Sequence, residues 1–345
     1  MPAVQPLTLI GAVPSPYTRK MVALLRYRRL DYRIIWGDPA AILAERGLEK
    51  PKVGLLPTCL MTNSSGQVEV VCDSTPIIRR LESENIGRSV IPHDPVVAFL
   101  DYLLEDFADE WCTKYMFHYR WYPQVDADNA GTLLPLFQKV DIPVNVHEQF
   151  KPYITDRQVE RLHVVGSNDD TAGLIDASYR RFLLALDSHL VEQPFMLGHR
   201  PGASDFGIYG QLTQLVGFDP TPRAIAHKLA PRVIAWTGLL EDQSGLEPQE
   251  SDWITSGNIP SSLNKLLNEV GRVYAPALIA NAKALQEGAK VWEADIDGGL
   301  WTQQTFSYQG KCLQWINEEY QFLCAEDKKV VHEILAGTGC EQILL

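Results

Sequence analysis

Short apolar runs and stretches of helical periodicity alternate over the first part of the chain. Leu7-Thr8-Leu9-Ile10 predicts a short buried strand, and Gly11 to Pro16 a turn. From Tyr17, the apolar residues Met21, Leu24 and Leu25 recur at helical spacing, with Arg19, Lys20, Arg26, Arg28 and Arg29 mostly outward. Tyr32-Arg33-Ile34-Ile35 predicts a second strand, and Pro39 to Arg46 a short helix begun by Pro39 and stopped by Gly47. Thr58 to Met61 and Val68 to Val71 flank Asn63-Ser64-Ser65-Gly66, the pattern of a hairpin. Ser74 caps a further helix from Thr75 to about Glu84, with Pro76 in its first turn and Ile77, Ile78 and Leu81 inward. The order is β-α-β-α-β-β-α over residues 1–85.

Past Ser83 to Asp94, a linker broken by Gly87 and Pro92, the pattern becomes helical. One long helix is expected from Val96 to about Tyr122, and another from Leu174 to Val191 with Tyr179, Phe182, Leu183, Leu186 and Leu190 on one face. Pro123 to Asp170, with its prolines and polar breaks, predicts a loop with short helices. Gly202 precedes a buried helix in which Asp205 falls at the third position, where its carboxylate bonds back to the cap. Helices are expected over 225–240, 263–287 (interrupted by Pro276) and 308–323, and a strand or loop over 301–308. No internal repeat is found.

At 345 residues, this pattern fits two domains. A hydrophobic fraction of 46% with 21% charged residues supports a sizeable core and excludes disorder as the main state. The 31 basic and 43 acidic residues give −12, which argues against general binding to nucleic acid or anionic membrane. The opening Met1 to Pro6 has no basic stretch ahead of an apolar one, so no secretory leader is expected, and no apolar run is long enough to span a bilayer. Cys59, Cys72, Cys112, Cys312, Cys324 and Cys340 are scattered with no C-x-x-C pair, which suggests reduced thiols in the cytoplasm. No histidines are spaced as ligands, so no metal is expected.

Three local signals carry a family resemblance. Ser15-Pro16-Tyr17-Thr18 lies between the first strand and helix, where glutaredoxin-like chains have two cysteines. With hydroxyls at both positions, dithiol exchange has no thiolate to begin it. Gly54-Leu55-Leu56-Pro57-Thr58 puts a proline just ahead of the third strand. Val71-Cys72-Asp73-Ser74 leads into an apolar helix. In that order, and followed by a helical remainder, the three resemble the glutathione S-transferase superfamily, serine-type and bacterial-like. The resemblance implies an α/β thioredoxin-like N-terminal domain (1–85) and an all-α C-terminal bundle (96–345) with an extension from about residue 221.

The resemblance also implies roles. Ser15, at the positive end of a helix, would hold the thiol of glutathione as thiolate; taken by itself, it is equally a helix cap, and Tyr17 is a second candidate hydroxyl. Leu56 and a cis Pro57 would align the cysteinyl backbone, and Asp73 and Ser74 would take the γ-glutamyl ammonium and carboxylate. The place of the family's lysine is Gly54-Leu55 here, which leaves Lys52 or Arg19 for the glycyl carboxylate. Tyr115, His118 and Tyr119 would reach the pocket of a small apolar electrophile or belong to the bundle core, and Asp205 is structural. Glutathione is the implied co-substrate and a homodimer the implied assembly. Isomerisation, ether cleavage and dehalogenation use the same thiolate, and a non-catalytic member that kept the fold is the alternative of a different kind.

Overall fold

Proline at a helix start and a side-chain cap recur through this chain and set its element boundaries. The computed structural model describes residues 7–63 and 65–344; Met1 to Pro6, Ser64 and Leu345 lie outside the described residues. Ser15 caps α1 (Pro16–Tyr27), accepting from the Thr18 amide, and Asp38 caps α2 (Pro39–Glu45) in the same way. With β1 (Leu7–Gly11), β2 (Tyr32–Trp36), β3 (Thr58–Thr62), β4 (Val68–Cys72) and α3 (Ser74–Glu84) they form a thioredoxin-like unit. Its sheet order is β2-β1-β3-β4; β1 and β2 are parallel, with Leu7 opposite Tyr32, and the other pairings are antiparallel. Two expectations change here. Lys20 is fully buried, not outward, because acidic partners wait inside. Asp73, not Ser74, is the residue before α3; it has a φ of 82° and makes no side-chain capping bond, because the Asp73 and Ser74 side chains are both engaged elsewhere.

The helical part holds α4 (Pro95–Glu110), α5 (Cys112–Trp121), α6 (Gln124–Gln138), α7 (Val144–Val159), α8 (Ala172–Glu192), α9 (Ala203–Leu215), α10 (Pro220–Leu229) and α11 (Pro231–Leu240). The long helix expected over 96–122 is thus two, divided at Trp111. Residues 123–170 hold two full helices, α6 and α7, in place of the expected loop with short helices. Pro135 falls in the last turn of α6, and Pro152 is accommodated inside α7. Gly210 of α9 lets that helix pass close to the start of α1: a Cβ there would come 2.5 Å from the Pro16 carbonyl oxygen. Asp205 accepts from the Gly202 and Met196 amides and so fastens the start of α9.

After α10 and α11, the extension expected from about residue 221 continues with α12 (Ser261–Glu269), a π-helical turn over Val270–Tyr274, α13 (Ala275–Gln286), β5 (Val291–Ile296), β6 (Gly299–Gln304), α14 (Ser307–Phe322) and α15 (Ala325–Leu335). It is therefore not all-helical. The hairpin β5-β6 turns through Asp297 and Gly298, both at positive φ. It carries Trp292 and Trp301 into the core, which explains why the chain leaves helix there. One contiguous core runs from Leu9 through the bundle to Ile343, so the two domains share buried side chains. Among the described residues no helix is long and apolar enough to cross a membrane, and no cysteine is in a disulfide.

Candidate functional site

The loop before β3, the start of α3, the α4–α5 junction and the first turn of α14 enclose a cavity of about 350 Å³. Tyr17, Leu56, Asp73 and Ser74 line it from the thioredoxin-like side, and Asp109, Glu110, Thr113 and Lys114 from the bundle. The extension adds Gln303 and Phe306 to Gln309, and Val53, Leu55 and Val164 supply apolar wall. The Leu56–Pro57 bond is cis.

Three hydroxyls at the site have fixed polarity. Ser15 Oγ accepts from the Thr18 amide at 3.2 Å, and its own hydrogen goes to no protein atom among the described residues. Ser74 Oγ accepts from Lys20 Nζ at 3.1 Å. An ammonium can only donate, so the Ser74 hydrogen is left for something else. The Tyr17 hydroxyl donates to the Asp109 carbonyl at 2.7 Å, and burial, with Glu110 and Asp109, pushes it well above the usual phenol range. Its proton is already spent, which makes Tyr17 the weaker candidate for holding an anion.

Lys20 lies beneath Ser74 and donates also to Glu105 at 2.7 Å and Asp109 at 2.6 Å. Burial works against its charge, but Asp109 and Glu105 outweigh it and hold the ammonium above its ordinary value. Glu105 is buried too, yet Lys20 and Arg79 keep it below the usual carboxylate range. The neighbouring acids go the other way. Burial and Asp106 push Glu110 up to about 8, and burial chiefly pushes Asp106 up to about 7. Lys114, 2% exposed, is driven by burial down to about 7 against the pull of Glu110; its Nζ donates to Gln303 Oε1 at 2.9 Å. Burial thus favours the uncharged form of both Glu110 and Lys114 in this wall.

The expected residues divide. Leu56, Asp73, Ser74 and Tyr17 meet at the cavity. Ser15 does not line it; it lies between Tyr17, in this wall, and Pro14, in the wall of a second cavity that also includes Leu56. Arg19 points away, to Glu241 at 2.9 Å and Tyr209 at 3.2 Å, and Lys52 does not line the cavity, so neither expected partner for the glycyl carboxylate is in place. Tyr115, His118 and Tyr119 are core residues, not pocket residues. The break at Trp111 turns α5 so that they face α8 and the loop before it: Tyr115 bonds Ser178 at 2.7 Å, His118 bonds Ser167 at 2.7 Å, and Tyr119 donates to Asp176 at 2.6 Å. Burial takes His118 down to about 4, so it is neutral.

The acidic-basic wall of Asp109, Glu110 and Lys114 was not singled out from sequence, although Glu110 and Lys114 stand four apart in a largely apolar stretch. The extension also reaches the site. Tyr308 donates to Asp73 Oδ2 at 2.6 Å, and Gln309 donates to Glu110 Oε2 at 3.2 Å. Among the described residues no group of three or more His, Cys, Asp or Glu side chains is arranged to hold a metal ion.

Residues 9–89 match the family model of the glutathione S-transferase N-terminal domain. Among curated proteins none matches. A solved GST-like protein from Pseudomonas syringae is 17% identical with a TM-score of 0.41, over 68% of this chain and 66% of that one, just under two thirds of its length. A glutathione S-transferase from Rhodospirillum rubrum is 15% identical with a TM-score of 0.42, over 74% of this chain and 97% of that one. One from Methylobacterium radiotolerans, solved with glutathione sulfonate, is 17% identical with a TM-score of 0.39, over 73% and 95%.

Proposed function

The chain carries a glutathione S-transferase N-terminal domain over residues 9–89, and from that premise we propose that it binds glutathione and presents the thiol as thiolate to a small apolar electrophile. The observation that carries this is the convergence of Leu56, Asp73 and Ser74 on one cavity that Tyr17, two residues past Ser15, also lines. The γ-glutamyl carboxylate meets the start of α3 and the free hydrogen of Ser74, oriented by Lys20 from below. The ammonium goes to Asp73, in place of the Tyr308 hydroxyl. The thiol points to Ser15, whose uncommitted hydrogen and position at the start of α1 both favour an anion. One charge-assisted hydrogen bond of about 1.5–3 kcal/mol lowers a thiol pKa by roughly one to two units from its usual 8.5 or so, enough to make thiolate the main form near neutrality.

A second reading has its own support. Asp73 is already occupied by Tyr308, and Ser15 stands outside the cavity wall, as suits a member that kept the fold for binding alone. Retention on immobilised glutathione, followed by turnover of a generic aryl halide, separates the two. Retention with turnover supports the enzyme, retention without it the binding protein, and no retention ends the glutathione reading. Location in the cytoplasm and pairing of two copies belong to the same proposal; sedimentation of the purified chain checks the pairing.

A further inference from the structure

Glu110 has no part in holding glutathione, yet it stands in the same wall and is only 9% exposed. Gln309 donates to its Oε2; among the described residues no cation is within ion-pair distance of it, and its Oε1 has no hydrogen-bond partner. Asp106 and Asp109 precede it on the same helix, and Asp109 Oδ1 is itself buried without a partner. Lys114 across the junction is spent on Gln303 Oε1 and the Val165 carbonyl. Three ionised carboxylates here would repel a thiolate. A carboxyl that keeps its proton does not, and it is a donor with one oxygen free. Burial and Asp106 favour that protonated form.

We propose that Glu110 is the general acid of this site, and that the site's substrates are electrophiles whose attack leaves negative charge on oxygen, above all α,β-unsaturated ketones. The inference rests on the glutathione reading. The thiolate sulfur forms a bond to the β-carbon. The pair of the C=C π bond moves to join the α-carbon to the carbonyl carbon, and the carbonyl π pair goes to oxygen. Glu110 gives its proton to that oxygen and becomes a carboxylate. The enol returns to the ketone in water, and Glu110 takes a proton back from water. Displacement of a halide at a saturated carbon needs no such donor, because the negative charge departs with the leaving group. A wall furnished with a protonated acid therefore favours addition over displacement.

The test compares the whole protein with its Glu110→Gln variant, using glutathione with 4-phenylbut-3-en-2-one and with 4-nitrobenzyl chloride, whose halide is displaced from a saturated carbon, and measuring kcat and KM separately. Glutamine keeps an acceptor for Gln309 and lacks the acid. The enone kcat is expected to fall about 100-fold, and the ratio of enone to halide turnover at least about 10-fold. The wild-type enone kcat should also drop in deuterium oxide while the halide kcat does not; this arm needs no variant and stands even if Glu110→Gln fails to fold. Equal losses on both substrates, an enone reaction indifferent to deuterium oxide, or a glutathione-binding wild type that turns over the halide and not the enone would each overturn the proposal. A wild type not retained on glutathione fails at the earlier reading, and retention reports that separately.

Discussion

Lys20 shows how a single buried charge ties stability to the site. It satisfies Glu105 and Asp109 and also fixes the direction of the Ser74 hydroxyl. Lys20→Met leaves Asp109 without its cation and Glu105 with Arg79 alone, and is expected to cost about 3–5 kcal/mol, seen as a lowered denaturation midpoint. Glu110 makes an opposite, pH-dependent contribution. Its folded pKa of about 8 lies above the unfolded value near 4.3, so the folded state keeps a proton that the unfolded chain sheds. Its contribution is fully present below about pH 4 and is lost as pH rises towards 8. Wild type should therefore lose on the order of 1 kcal/mol or more relative to Glu110→Gln between pH 5 and 8, read by urea unfolding at each pH. A constant difference would show that the carboxyl is ionised throughout.

Among elements, α14 matters most to the site although it begins more than two hundred residues after Asp73 and Ser74. Asn281 of α13 holds Phe306 at both its amide (2.8 Å) and its carbonyl (2.9 Å), which sets Tyr308 over Asp73. Tyr308→Phe removes the competing donor and should tighten glutathione binding by about 10-fold in calorimetric titration, the equivalent of about 1.4 kcal/mol. Unchanged or weaker binding would mean that Tyr308 supports the ligand. Nothing in a linear pattern reports such a contact. The β-α-β-α-β-β-α unit was legible because its helices begin with Pro16, Pro39 and Pro76 near their starts and its strands are short apolar runs. Where prolines sit inside helices, as Pro135 and Pro152 do, the same rule misled. Of the two places expected for Tyr115, His118 and Tyr119, the helix break at Trp111 leaves them in the bundle core. The β5-β6 hairpin did carry a signal, Asp297-Gly298 between apolar runs.

At the scale of the molecule, one core joins the thioredoxin-like unit, the bundle and the extension, so the cavity at their meeting point is shaped by all three. The site residues of the first unit were legible because their chemistry is local: a helix start, a proline before a strand, an acid-serine step. The wall that faces them is not local, and it holds the groups proposed to choose the electrophile. The central claim is that Ser15 holds the thiolate of glutathione bound in this cavity. Titration of the thiolate absorbance of the bound ligand, in wild type and Ser15→Ala, tests it most directly. In wild type the bound thiol is expected to have a pKa below the free value of about 8.5, raised by roughly one to two units in the variant. The same pKa in both proteins would contradict it.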